Sequence, residues 1–154
     1  MLREFFSHWN PRGEPLPDQV QSGALPYAVV DNRVVFLLVT SRRTGRWIFP
    51  KGSISAGMTA WDSAAKEAME EAGVIGQIGT EPLGSYLNND QGALVQVDLY
   101  PLRVDAQMEH WDEMEQRLRH WALLTETRRL LADRSLGRIV GALHRQLTAK
   151  PVTQ

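Results

Sequence analysis

Apolar residues gather into two short, dense runs, Tyr27–Val30 and Val34–Val39, separated by the polar triplet Asp31-Asn32-Arg33. Runs of this length bounded by turn residues predict a hairpin of two buried strands. Ahead of them, residues 10–22 hold Pro11, Pro15, Pro17 and Gly13 among polar residues, a composition that favours an extended connector over a helix or a central strand. Residues 1–22 are therefore expected to be an N-terminal extension, a candidate mobile segment, and residues 23–150 one domain. Trp47-Ile48-Phe49 predicts a short strand stopped by Pro50, followed by a loop through Gly52 and Gly57. Thr59 is placed to cap a helix and Gly73 to end one, which predicts a helix over 60–72.

On that helix Trp61, Ala65, Ala68, Met69 and Ala72 are expected to pack on the sheet. Glu67, Glu70 and Glu71 fall on the other side, with Ala60 and Ala64 extending their stripe as small residues that leave room beside the carboxylates. Strands are expected at 74–78, 83–87 and 93–104, with residues 88–92 turning between the last two and Val95, Val97 and Leu99 sharing one face. A strand over 117–123, a short helix over 126–131 and a helix over 135–148 complete the pattern. The last carries one apolar stripe, Leu136, Ile139, Val140, Leu143 and Leu147. Strands interleaved with isolated helices predict an α/β (α+β) fold, a mixed sheet between helices.

Composition adds boundaries rather than identity. A chain of 154 residues can bury a full core without cross-links. There is no cysteine, which excludes disulfides, thiolate zinc sites and a cysteine nucleophile. Lys and Arg total 17 against 18 Asp and Glu, a balance that argues against a generally basic nucleic-acid surface. No run approaches the roughly 20 apolar residues of a membrane span, and the first residues lack the long apolar core of an export signal. A cytoplasmic protein without nucleic-acid or membrane partners is expected. His110, His120 and His144 have no spacing that suggests zinc.

The candidate chemistry lies between Gly52 and Val74. Glu67, Glu70 and Glu71, spaced three and four apart at about 100° per residue, share a helical face, where like charges repel. A solvated acidic helix end is the plain alternative, but carboxylates near a helix C-terminus oppose the helix dipole. A hard divalent cation with oxygen ligands explains the cluster better.

Gly52, five residues, Met58, seven residues, Lys66-Glu67, Ala68, Met69, Glu70-Glu71, Ala72, Gly73, Val74 resembles the Nudix box. The family pattern reads Gly, five residues, Glu, seven residues, Arg-Glu, an aliphatic, any residue, Glu-Glu, any residue, Gly, aliphatic. The flanking strands and the last helix extend the likeness over roughly residues 23–148. Met58 and Lys66 depart from it, standing where the family has Glu and Arg. Lysine keeps the charge of arginine but loses its fork, and its plain role is a surface pair with Asp62 or Glu70. Met58 is expected to pack into the core.

The resemblance implies a Nudix-type αβα sandwich with a central mixed sheet. It also implies Mg²⁺, with Mn²⁺ as a substitute, held by Glu67, Glu70, Glu71 and the Gly52 carbonyl. Water would attack a phosphoanhydride, with Glu67 or Glu70 as the base. The segments Ser41-Arg42-Arg43, Arg46–Gly52 and Arg119-His120-Trp121 further resemble the diphosphoinositol polyphosphate phosphohydrolase branch. That likeness implies diphosphoinositol or diadenosine polyphosphates as substrates. Other nucleoside diphosphate derivatives, RNA 5′-triphosphate ends, or a Nudix-fold sensor without turnover are the alternatives. Arg42, Arg43, Lys51 and Arg119 suit dense phosphate, and each is singly as consistent with a solvated charge. Trp47 and Trp121 are read as packing residues. The acidic run Glu109, Asp112, Glu113 and Glu115 is either a solvated loop or the source of a further ligand or base.

Overall fold

A computed structural model describes residues 16–149, and every structural statement here is of those residues. The strands are β1 Gln19–Val30, β2 Arg33–Thr40, β3 Trp47–Ile48, β4 Lys51–Ser53, β5 Val74–Ile78, β6 Gly84–Asp90, β7 Ala93–Gln107 and β8 Arg119–Ala122. The helices are α1 Ala60–Ala72, α2 Leu124–Leu131 and α3 Arg134–Thr148. β1 starts at Gln19, so the expected N-terminal extension, residues 1–22, already belongs to the sheet over its last four residues, 19–22; its first fifteen residues lie outside the described range. The reason is tertiary. Gln19 to Tyr27 run parallel to β7, and Gln21 to Gly23 also pair with β4, a short strand in what the sequence suggested was loop.

All eight strands join one mixed sheet in the order β3-β2-β1-β7-β5, with β4 on β1, β6 on β7 and β8 on β2. Only the β1–β7 pairing is parallel. Successive side chains alternate between two cores, as the pleat requires. Leu25, Phe36, Leu38, Val95, Val97 and Leu99 meet Leu136, Ile139, Val140 and Leu143 of α3 on one face. Ala24, Leu37, Val39, Val74, Tyr100 and Leu102 meet Ala64, Ala68 and Ala72 of α1 on the other. The run through β2 is apolar without alternation because both of its faces are covered. No described helix is long and apolar enough to cross a membrane.

The packing stripe of α1 differs from the sequence expectation. Ala64 is fully buried against the sheet, whereas Met69 is 42% exposed. Ala64, Ala68 and Ala72 recur every four residues and form the true contact row. Their small side chains set α1 close to the sheet. Ala64 is therefore not spare room beside the carboxylates.

β5 reaches β7 through an irregularity between Ile75 and Gly76. A Cβ on Gly76 would collide with the Arg103 carbonyl oxygen and carbon, which are backbone and cannot swing aside. Gly76→Ala is expected to cost about 1–3 kcal/mol, the range for overpacking. Chemical denaturation checks it, with Gly137→Ala, where an added Cβ would meet only Arg128 Cγ at 3.7 Å, as the comparison.

Candidate active site

Thr59 accepts a hydrogen bond from the Asp62 N–H at 3.1 Å and starts α1 as its residue type predicts. Gly73 ends it at φ 66°, where a Cβ would also lie 2.8 Å from Trp111 and Arg119. The Gly73 N–H takes the Met69 carbonyl at 3.1 Å. The next four carbonyls, those an α-helix leaves without partners, are all met by residues 108–119. Glu113 N–H donates to the Glu70 carbonyl at 3.0 Å, and Met108 N–H to the Gly73 carbonyl at 2.8 Å. Trp111 Nε1–H donates to the Glu71 carbonyl at 3.0 Å and Arg119 Nη1–H to the Ala72 carbonyl at 3.0 Å.

This segment delivers two residues that sequence reasoning did not single out individually. Arg117, its side chain 7% exposed, lies 3.2 Å from Glu71 Oε1 and 3.3 Å from Glu113 Oε1, and donates to the Thr40 carbonyl at 2.9 Å. Glu113, one of the four acids in the loop, is the one brought to the site. The four-residue spacing of Glu113 and Arg117 was the available signal. It looked like any surface pair.

Glu67 and Glu71 face each other beside Gly52. The space a Gly52 side chain would need is filled by the Glu67 carboxylate, so a larger residue there would displace that carboxylate. The Lys51 N–H donates to Glu71 Oε2 at 3.3 Å. Burial raises the pKa of Glu67, reinforced by Glu70. Glu71 is pushed up to about 8, burial outweighing the Arg117 guanidinium beside it. Glu70 lies 3.4 Å from Lys66 Nζ, which also donates to Ser55 Oγ at 3.4 Å. Two of the three glutamates converge, then, and the third is held by the lysine that replaces the pattern's arginine. Among the described residues no three acidic or histidine side chains form a closed cluster for a metal ion. Met58 is 37% exposed and not in the core as expected, because its loop runs outside both packed layers.

A cleft of about 330 Å³ opens beside Glu71, lined by Arg42, Arg43, Arg46, Lys51, Arg117, Asp90 and neighbouring residues. It unites three of the four expected phosphate contacts. Arg119 is the exception. Its guanidinium is committed to the Ala72 carbonyl and, at 2.8 Å, the Met108 carbonyl, and it stacks 3.8 Å above the Trp111 ring. Its place is at the helix end, away from the cleft lining. A larger hollow of about 480 Å³, lined by Arg128, Asp133, Arg134 and Arg138, sits in the α2–α3 layer and contains none of the motif glutamates. Trp47 and Trp121 pack, half-buried, against the two cores.

A family profile described as the NUDIX domain matches residues 23–139. The chain is 29% identical over 120 residues to Nudix hydrolase 17, mitochondrial, of Arabidopsis thaliana, covering 72% of this chain and 65% of that protein. It is 35% identical over 89 residues to diphosphoinositol polyphosphate phosphohydrolase 2 of Rattus norvegicus, covering 56% of this chain and 48% of that protein. The chain thus spans from about half to just under two thirds of the length of these curated relatives. The structure of a C. elegans Ap4A hydrolase binary complex shares the fold at a TM-score of 0.69 and 20% identity, covering 85% of this chain and 98% of that chain.

Two outcomes follow from the Glu71–Arg117–Glu113 contact. The folded state holds on Glu71 a proton that the unfolded chain, with an ordinary carboxyl near 4.5, releases earlier. Stability from this group is complete below about pH 4.5 and is lost as pH rises toward 8. Thermal melts of the metal-free protein should therefore fall across that window, and Glu71→Gln should flatten the slope. Arg117→Met should cost about 3 kcal/mol above pH 8, where Glu71 is ionised and would be left as a buried charge without its guanidinium. The loss should be smaller at neutral pH, where the folded state keeps Glu71 protonated, and denaturation at two pH values reads the difference.

Proposed function

The chain belongs to the NUDIX domain family, and from that premise we propose that it is a Mg²⁺-dependent pyrophosphohydrolase acting on diphosphoinositol or dinucleoside polyphosphates. The observation that carries the reading is the cleft that joins Arg42, Arg43, Arg46 and Lys51 to Glu71. Arginine forks bind phosphate oxygens in pairs and lysine adds a point charge. A row of them suits a substrate whose phosphates are dense. The partial likeness to a diphosphoinositol polyphosphate phosphohydrolase supports the same class.

The donor set fits a hard cation. Mg²⁺ is held by one or two carboxylates with waters and substrate phosphates rather than by a closed protein cage. Glu67 and Glu71, crowded beside Gly52 with raised proton affinity, provide such a pair, and the family pattern adds the Gly52 carbonyl and Glu70. Bound Mg²⁺ supplies charge neutralisation and an acidified water. The arginines and Lys51 hold the phosphates in line. As water adds to phosphorus the bridging P–O bond breaks, and a carboxylate takes the water's proton. With Glu67 and Glu71 drawn together, Glu70 is the carboxylate left to act as base.

One observation favours a second reading, a ligand sensor without turnover. Lys66 pairs with Glu70, the carboxylate assigned to the proton, while Met58 offers no acid in exchange. Turnover decides between the two. Phosphate, pyrophosphate and nucleotide release should be measured on a diphosphoinositol polyphosphate, a diadenosine polyphosphate, a nucleotide sugar and 5′-triphosphorylated RNA. Glu70→Gln should lower kcat by about 100-fold or more, a larger effect on rate than on the Mg²⁺ concentration needed. Glu67→Gln and Glu71→Gln should instead raise the Mg²⁺ concentration needed for half-maximal rate. Absence of glutamate-dependent release on every substrate would leave the sensor reading.

A further inference from the structure

Besides Glu71, one acidic residue lines the proposed phosphate cleft, Asp90. Asp90 Oδ1 lies 3.2 Å from Arg43 Nη2, and both residues line the cleft. Asp90 is not carried on a loose loop. It pairs with Ala93 as the last rung of the β6–β7 hairpin, whose two turn residues, Gln91 and Gly92, have φ of 51° and 87°. Positive φ at both positions is the conformation that closes tight hairpins. The Gly92 N–H adds a 3.1 Å hydrogen bond to Asn89 Oδ1. Arg42 is engaged separately, 3.5 Å from Glu113 and 3.2 Å from Gln116 Oε1.

We propose that Asp90 is a specificity-determining residue, an internal competitor whose carboxylate occupies the Arg43 guanidinium until a substrate phosphate displaces it. The inference rests on the cleft reading given under Proposed function. Carboxylate and phosphate oxygens are alternative partners for one guanidinium fork, so Arg43 cannot offer the same donors to both. The two side chains are 51% and 47% exposed, and a pair so open to solvent is weak enough to exchange. Asp90 acts twice. It holds Arg43, and its own charge repels an anion in the cleft, a repulsion that grows with the charge of the ligand. The penalty therefore falls hardest on long phosphate chains and on polyanionic products, which leave sooner because a replacement partner for Arg43 is already tethered beside it.

The test is binding of inorganic tripolyphosphate and orthophosphate to the full chain by calorimetry without divalent cation, where no turnover intrudes. Asp90→Asn, which keeps the size of the side chain, should tighten tripolyphosphate by about 2- to 5-fold and orthophosphate by less. Arg43→Met should weaken tripolyphosphate, and Asp90→Asn should recover less in that background than in the wild type. In turnover on a polyphosphate substrate, Asp90→Asn should lower KM while kcat stays level or falls. Wild-type binding of tripolyphosphate with no gain in Asp90→Asn, or an equal gain with and without Arg43, overturns this inference alone. Failure of the wild type to bind tripolyphosphate overturns the cleft reading and the inference with it.

Discussion

The C-terminal end of α1 is the constraint on which the rest of the site depends. The helix must stop among buried residues, since Glu71, Ala72, Gly73 and Val74 are all shielded from solvent. Its last carbonyls would otherwise be left without donors at the negative end of the helix dipole, beside carboxylates that already repel. Residues 108–119 supply those donors from two backbone amides, an indole and a guanidinium. Capping a helix and building a cleft are consequently one event. The segment that satisfies the carbonyls also brings Arg117 and Glu113 against Glu71.

Much of this was legible from sequence because it is local. Thr59 and Gly73 bracket α1 by residue chemistry that needs no tertiary partner, and the alternation of Val95, Val97 and Leu99 does place them in one core. What escaped the sequence is set by distant pairing. β4 and the early start of β1 exist because each pairs with the other and β1 also pairs with β7. Ala64 and Met69 exchange roles because periodicity gives a stripe but not the rotation of the helix against its sheet. Arg119 and Arg117 show the same limit for chemistry. Two arginines two residues apart are indistinguishable in sequence, yet one stacks on Trp111 at a helix end and the other is buried against Glu71 in the cleft.

The departures from the family pattern have a physical logic. With Met58 in place of an acid, the cation at position 66 has no partner in its loop other than Ser55. It turns to Glu70, one helical turn away. An arginine there could fork between two carboxylates, whereas a lysine ammonium supplies a compact charge without that geometry. Met58 and Lys66 thus alter the environment of the carboxylate that stays outside the Glu67–Glu71 pair. The pair itself, walled by Gly52 and Lys51, is left as the pattern requires.

The near-zero net charge of the chain, 17 basic against 18 acidic residues, conceals how unevenly charge is placed. Five basic residues line one cleft, and three of them are held by acids from separate segments: Arg42 by Glu113, Arg43 by Asp90, Arg117 by Glu71 and Glu113. Without those acids the guanidinium groups would repel one another in a confined space. With them, the cleft is organised before any anion arrives. The cost of that order depends on burial. Arg117 and Glu71 are closed off from solvent, where losing one partner is expensive, so their contact is structural. Arg42 and Arg43 are half open to water, where ion pairs are weak. The same electrostatic arrangement therefore grades from fixed where Arg117 meets Glu71 to exchangeable where Arg42 and Arg43 face solvent.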